Sequence, residues 1–144
     1  VSGPETASDN AAAVRVLIVD DSEHFVRAAR RALSLEDGIQ VIGTAASAEE
    51  AVESVRRLAP DVVLMDMSMP GANGLEATRA VKAIEPAPAV IILTAHEVES
   101  YEAAATRAGA DGVIGKWLLQ EQAVEVIRRL GPLTPRKAGH PAED

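Results

Sequence analysis

Short runs of aliphatic and β-branched residues alternate along this chain with stretches whose apolar positions recur at helical spacing. The runs fall at 14–19, 39–43, 61–65, 89–93 and 112–114. Three of them are apolar at consecutive positions, the pattern of strands covered on both faces. Between them, Phe25, Ala29, Ala32 and Leu33 form one stripe at i, i+4, i+7, i+8. Ala48, Ala51, Val52, Val55 and Leu58 form another, and Leu119, Ala123, Val126, Ile127 and Leu130 a third. Each stripe predicts an amphipathic helix. Ser47 with Glu50, and Asn73 with Glu76, have the spacing of capping boxes at helix starts. Gly38 and Gly109 stand where helices should stop, each able to take the left-handed conformation of a C′ residue.

Five strands alternating with five helices predict an α/β fold, a parallel sheet with helices on both faces. Right-handed crossovers then leave few topologies. The folded unit is expected over 13–131. Residues 1–12 are expected to be a disordered arm, and 132–144, with Pro132, Pro135, Gly139 and Pro141, a flexible tail.

Composition narrows the chemistry. The chain has 144 residues, of which 47% are hydrophobic, enough for one domain with a real core. There is no cysteine, which excludes disulfide frameworks, thiolate metal sites and cysteine nucleophiles. Aromatics make up 2% and the formal charge is −8, so base stacking and phosphate-backbone attraction have little to work with. No direct nucleic-acid binding by this chain is expected. The apolar runs fall far short of the ~20 residues that span a bilayer, and a cytoplasmic location away from membranes is expected.

In an open parallel sheet, ligands collect beyond the carboxyl ends of the strands. Those ends carry Asp20-Asp21-Ser22, Asp66, Thr94 and Lys116. Each alone has an ordinary explanation, such as an N-cap, a local hydroxyl bond or a solvated charge. Their convergence on one rim does not. Two carboxylates about 4 Å apart repel by roughly 4 kcal/mol at an effective dielectric of 20. Three together raise one another's pKa or require a cation, for which a hard divalent ion such as Mg²⁺ is suited.

The strings VLIVDDS (16–22), DVVLMDMSMPGANG (61–74), VIILTA (90–95) and AGADGVIGK (108–116) resemble the receiver domain of two-component response regulators. The resemblance implies a flavodoxin-like (βα)5 three-layer sandwich with strand order 2-1-3-4-5. It implies a signalling domain rather than an enzyme in the usual sense, one that assists its own phosphorylation and dephosphorylation. Asp66 would accept a phosphoryl group from a histidine kinase or phosphotransfer protein. Asp20, Asp21, Asp66 and the Ser68 carbonyl would hold Mg²⁺, while Lys116 and Thr94 would contact the phosphoryl oxygens. The face made by the fourth helix, fifth strand and fifth helix would then change its affinity for a partner, a second copy of the chain included.

Pro70 and Gly74 match the family's turn after the acceptor, with Pro fixing φ and Gly permitting a positive one. Two positions depart from the family. Val113 stands where most receivers have the Tyr or Phe that swings inward with the threonine. Trp117 stands where many have a cis proline, so a trans Lys116–Trp117 bond and a differently shaped loop are expected. Trp117 is expected to pack on the fifth helix, or else to anchor a partner. His96 and Ser68 are candidates for tuning phosphate lifetime. His24 and Phe25 begin the helix on which kinases dock in this family, although Phe25 also reads as core. The alternative is a phosphate-insensitive receiver acting as a fixed interaction module. A phosphohydrolase would want Asp-x-Asp after the first strand, and a flavin-mononucleotide carrier would want a Ser/Thr/Gly-rich loop there; this chain has neither.

Overall fold

The computed structural model describes residues 13–69 and 71–131. The arm and tail expected at 1–12 and 132–144, and the φ restriction assigned to Pro70, lie outside the described residues. Ten principal elements alternate: β1 (Val14–Val19), α1 (Glu23–Ser34), β2 (Ile39–Ala45), α2 (Ala48–Leu58), β3 (Val62–Asp66), α3 (Gly74–Lys82), β4 (Ala89–Thr94), α4 (Glu102–Ala108), β5 (Gly112–Gly115) and α5 (Val124–Leu130). The strands form one parallel sheet of order β2-β1-β3-β4-β5, the expected 2-1-3-4-5. A small antiparallel ribbon, Ser68–Met69 with Ala72–Asn73, follows β3.

Strand parity divides the core in two. Val16 and Ile18 of β1, Val62 and Leu64 of β3, and Ile91 and Leu93 of β4 face α1 and α5, meeting Ala29, Leu33, Leu119, Ala123 and Ile127. Their neighbours Leu17, Val19, Val63, Met65, Val90 and Ile92 face α2, α3 and α4. Because successive strand side chains point to opposite faces, a run buried on both sides must be apolar at every position. Among the described residues, no helix is long and apolar enough to cross a membrane.

The helix boundaries follow the capping chemistry closely but not everywhere. Ser47 Oγ accepts the Glu50 N–H and Asn73 Oδ1 accepts the Glu76 N–H, at 3.1 and 2.9 Å. The Glu50 carboxylate reaches back to the N–H of Ala46, one residue before the cap. Gly109 caps α4 in the left-handed region (φ 100°). Gly38 is also left-handed (φ 82°), but α1 ends at Ser34 with Leu35 as its cap, so this glycine shapes the turn into β2. The left-handed cap of α2 is Ala59 (φ 50°), directly before Pro60, and a residue before proline is disfavoured in the right-handed helical region. The last helix is composite: a 3₁₀ turn over Lys116–Leu118 and a π-turn over Leu119–Ala123 precede α5. Its stripe is as expected, with Leu119, Ala123 and Ile127 buried.

The turn under Asp66 departs from its sequence reading. Gly71, not Gly74, has the positive φ (85°). Gly74 is required by proximity: a Cβ there would collide with the Asp66 carbonyl oxygen and lie 2.8 Å from Met67 Cα. Its own N–H donates to the Met67 carbonyl at 2.6 Å. Only a residue without a side chain lets the start of α3 lie this close to the end of β3.

Candidate functional site

Three strands deliver the site, and the same parity places its charges. Asp20 continues β1 two residues beyond Ile18, Asp66 ends β3 two beyond Leu64, and Lys116 follows β5 two beyond Ile114. All three therefore fall on the α1/α5 side of the sheet's carboxyl edge. Asp21 opens the turn into α1 and is exposed, whereas Asp20 and Asp66 are buried, 3% and 5% exposed. One carboxylate oxygen from each of Asp20, Asp21 and Asp66 lies within 4.8 Å of the others.

Lys116 bridges the two buried acids. Its Nζ is 2.7 Å from Asp20 Oδ2 and 3.3 Å from Asp66 Oδ1. The other oxygen of Asp20, Oδ1, accepts the backbone N–H of Ser22 at 2.9 Å. Ser22 in turn caps α1, its Oγ accepting the N–H of Phe25 at 3.1 Å. On its open side the Lys116 ammonium lies 4.5 Å above the centroid of the Phe25 ring.

Burial, and then the charge of Asp20, push the Asp66 carboxyl above the usual aspartate range; Lys116 and the Ser68 N–H offset part of this. For Lys116, burial works against the ammonium, but the carboxylates of Asp20 and Asp66 outweigh it and hold the group above the ordinary lysine range. The rim is thus an acidic cluster that one cation, Lys116, offsets only in part. Its all-oxygen, partly exposed donor set suits a hard divalent ion.

Thr94 is fully buried at the end of β4, one residue past the partner of Asp66 in the ladder. Its Oγ1 accepts the backbone N–H of His96 at 3.0 Å. Ser68 is exposed in the ribbon beyond Asp66. His96 is exposed, with its ring 6.1 Å from that of Tyr101. His24 is exposed at the start of α1.

Val113 lies among the α2/α3/α4-side residues with Tyr101 and Ala110. It borders a surface cleft of about 370 Å³ between α4 and β5, also lined by Glu102, Thr106 and Asp111. Trp117 is 59% exposed and its indole lies over Gly115, where a Cβ would come within 2.7 Å of it. The Lys116–Trp117 bond is trans, as expected. The contact of Phe25 with Lys116 was not foreseen. Phe25 occupies a core-stripe position, and nothing in the one-dimensional pattern says which cation will stand on its ring.

The response regulator receiver domain family matches residues 16–128. Response regulator UvrY of Escherichia coli K12 is 43% identical over 115 residues, covering 80% of this chain and 53% of that protein. Response regulator GacA of Pseudomonas viridiflava is 41% identical over 115 residues, covering 80% and 54%. The chain therefore spans about half the length of these relatives. Among solved structures, a LuxR-family two-component response regulator from Aurantimonas sp. SI85-9A1 superposes with a TM-score of 0.76 at 32% identity, covering 81% of this chain and 84% of that one. The response regulator domain of Thermotoga maritima CheB gives a TM-score of 0.76 at 28% identity, covering 85% and 99%.

Proposed function

This chain belongs to the response regulator receiver domain family, signalling modules of two-component systems, and on that premise we propose that Asp66 is its phosphoacceptor. The donor is a phosphohistidine on a histidine kinase or phosphotransfer protein. An Asp66 carboxylate oxygen attacks phosphorus in line, forming the O–P bond as the P–N bond breaks. The electron pair returns to the imidazole, which takes a proton from solvent. A carboxylate serves here because its ionised form is nucleophilic at neutral pH.

The observation carrying this reading is the meeting of three carboxylates and one ammonium at the ends of β1, β3 and β5. Asp20, Asp21, Asp66 and the Ser68 carbonyl are the residues that would hold Mg²⁺, which supplies positive charge against the phosphoryl oxygens and orients them. Lys116 moves from the carboxylates to a phosphoryl oxygen. The Thr94 hydroxyl, whose oxygen accepts the His96 N–H, donates its own O–H to another, drawing the 94–101 segment toward the site and altering the face of α4, β5 and α5.

Incubation with acetyl phosphate and Mg²⁺, followed by intact mass, tests this reading. One added phosphate is expected, and it should be absent in Asp66→Asn. Labelling that persists in that variant overturns the assignment.

A second reading, a fixed interaction module, is favoured by Val113, which has no ring to bury, and by the exposed Trp117. Beryllofluoride with Mg²⁺ separates the two. Amide shifts reaching α4 support a working switch, whereas shifts confined to the acidic rim support the fixed module.

A further inference from the structure

We propose that the ring of Phe25 is a seat for the Lys116 ammonium, making Phe25 a positioning residue for the phosphoryl-binding cation. The ring is fixed from two directions. Its backbone N–H is held by the Ser22 cap, and its body packs against the buried residues between the sheet and α1/α5. Lys116 Nζ at 4.5 Å from the centroid is within the ~6 Å over which the negative face of an aromatic ring attracts a cation.

The ammonium thus has anchors of two kinds. Asp20 and Asp66 are strong partners, but they belong to the carboxylate cluster suited to a divalent ion. When that ion occupies them, their attraction for Lys116 falls and a second positive charge stands beside it. The ring is neutral, contributes no oxygen to a hard cation and attracts the ammonium regardless of what the carboxylates hold. Phe25 therefore keeps Lys116 at the rim at the moment a phosphoryl group needs it. This inference rests on the reading of Asp66 as acceptor and assigns the residue that presents its cation.

Phe25 is the sole phenylalanine of the chain, so biosynthetic replacement by mono-, di- and trifluorophenylalanine alters this ring alone. Fluorine depletes the negative face while nearly preserving shape. In the metal-free protein, the Lys116 ε-methylene protons, identified with Lys116→Arg, are expected upfield of those of Lys82 through the ring current. They should stay there when Mg²⁺ is added. Beryllofluoride affinity is expected to fall stepwise along the fluorination series, by about two- to fivefold in all, while Mg²⁺ affinity holds or rises. Phe25→Tyr should keep the wild-type affinity, and Phe25→Leu should match the trifluoro protein.

A flat series, a parallel fall in both affinities as from loosened packing, or loss of the upfield shift with Mg²⁺ would overturn the seat. If the unmodified protein binds no beryllofluoride, the acceptor reading fails instead, and the Lys116 shifts decide the seat by themselves.

Discussion

Burial and the neighbouring Asp20 charge hold the Asp66 carboxyl above its ordinary range, and this has a sign for folding. An acid whose folded pKa is raised binds its proton more tightly folded than unfolded. Stability is then lost as pH rises from the unfolded aspartate value through the raised folded one, and the deficit persists at neutral pH. Asp66→Asn should therefore melt a few degrees above wild type at neutral pH without metal. The advantage should shrink as pH falls through the raised Asp66 value, and equal melting temperatures at neutral pH would contradict this. The 2.7 Å pair of Lys116 with Asp20 does not involve residue 66, so the ammonium is expected to keep that partner in the variant. A second residue-scale case is Thr78 of α3, fully buried with an Oγ1 that makes no hydrogen bond. A buried, unpaired hydroxyl costs about 1–3 kcal/mol, and valine matches its shape and β-branching. Thr78→Val should gain about 1 kcal/mol in urea denaturation; a loss would show that the hydroxyl has a partner in solution.

At the scale of elements, the site depends on how closely α3 approaches the end of β3. Gly74→Ala improves helix propensity by at most about 1 kcal/mol. It also forces a Cβ onto the Asp66 carbonyl, and steric overpacking of a tight backbone contact costs more. The expected outcome is a net loss of about 1–2 kcal/mol in equilibrium unfolding, with displacement of the Asp66 amide resonance. An unchanged stability would mean that α3 shifts freely. Helix starts were legible because a cap is a local bond between residues three apart, as at Ser47 and Asn73. The role of Gly74 was not, because the atoms it must avoid belong to Asp66 and Met67, brought there by the turn. The left-handed Ala59 was hidden for a related reason: glycine is the usual signal for that conformation, and here Pro60 biases the chain instead.

For the whole molecule, the three carboxylates that meet beside Lys116 give the folded state an oxygen donor set that could hold a divalent ion. Any ion binding only the folded form stabilises it by mass action, about 2.7 kcal/mol at a hundredfold excess over Kd. Thermal melting should rise with Mg²⁺, return with EDTA, and respond less in Asp21→Asn, whose side chain is exposed and contributes little packing. A Tm indifferent to Mg²⁺ would remove the metal from the site. The alternation of apolar runs and helical stripes determined the strand and helix succession, since burial on two faces dictates the content of the three central strands, β1, β3 and β4. The acidic strand ends were visible for the same reason, each being the first polar residue after a run. Tertiary structure alone decided that Asp20, Asp66 and Lys116 share one side of the sheet edge, that Thr94 spends its hydroxyl on His96, that Trp117 covers Gly115, and that Phe25 lies beneath a lysine ninety-one positions away. Those contacts depend on the twist and register of five strands, which fix distances between residues that no local pattern connects.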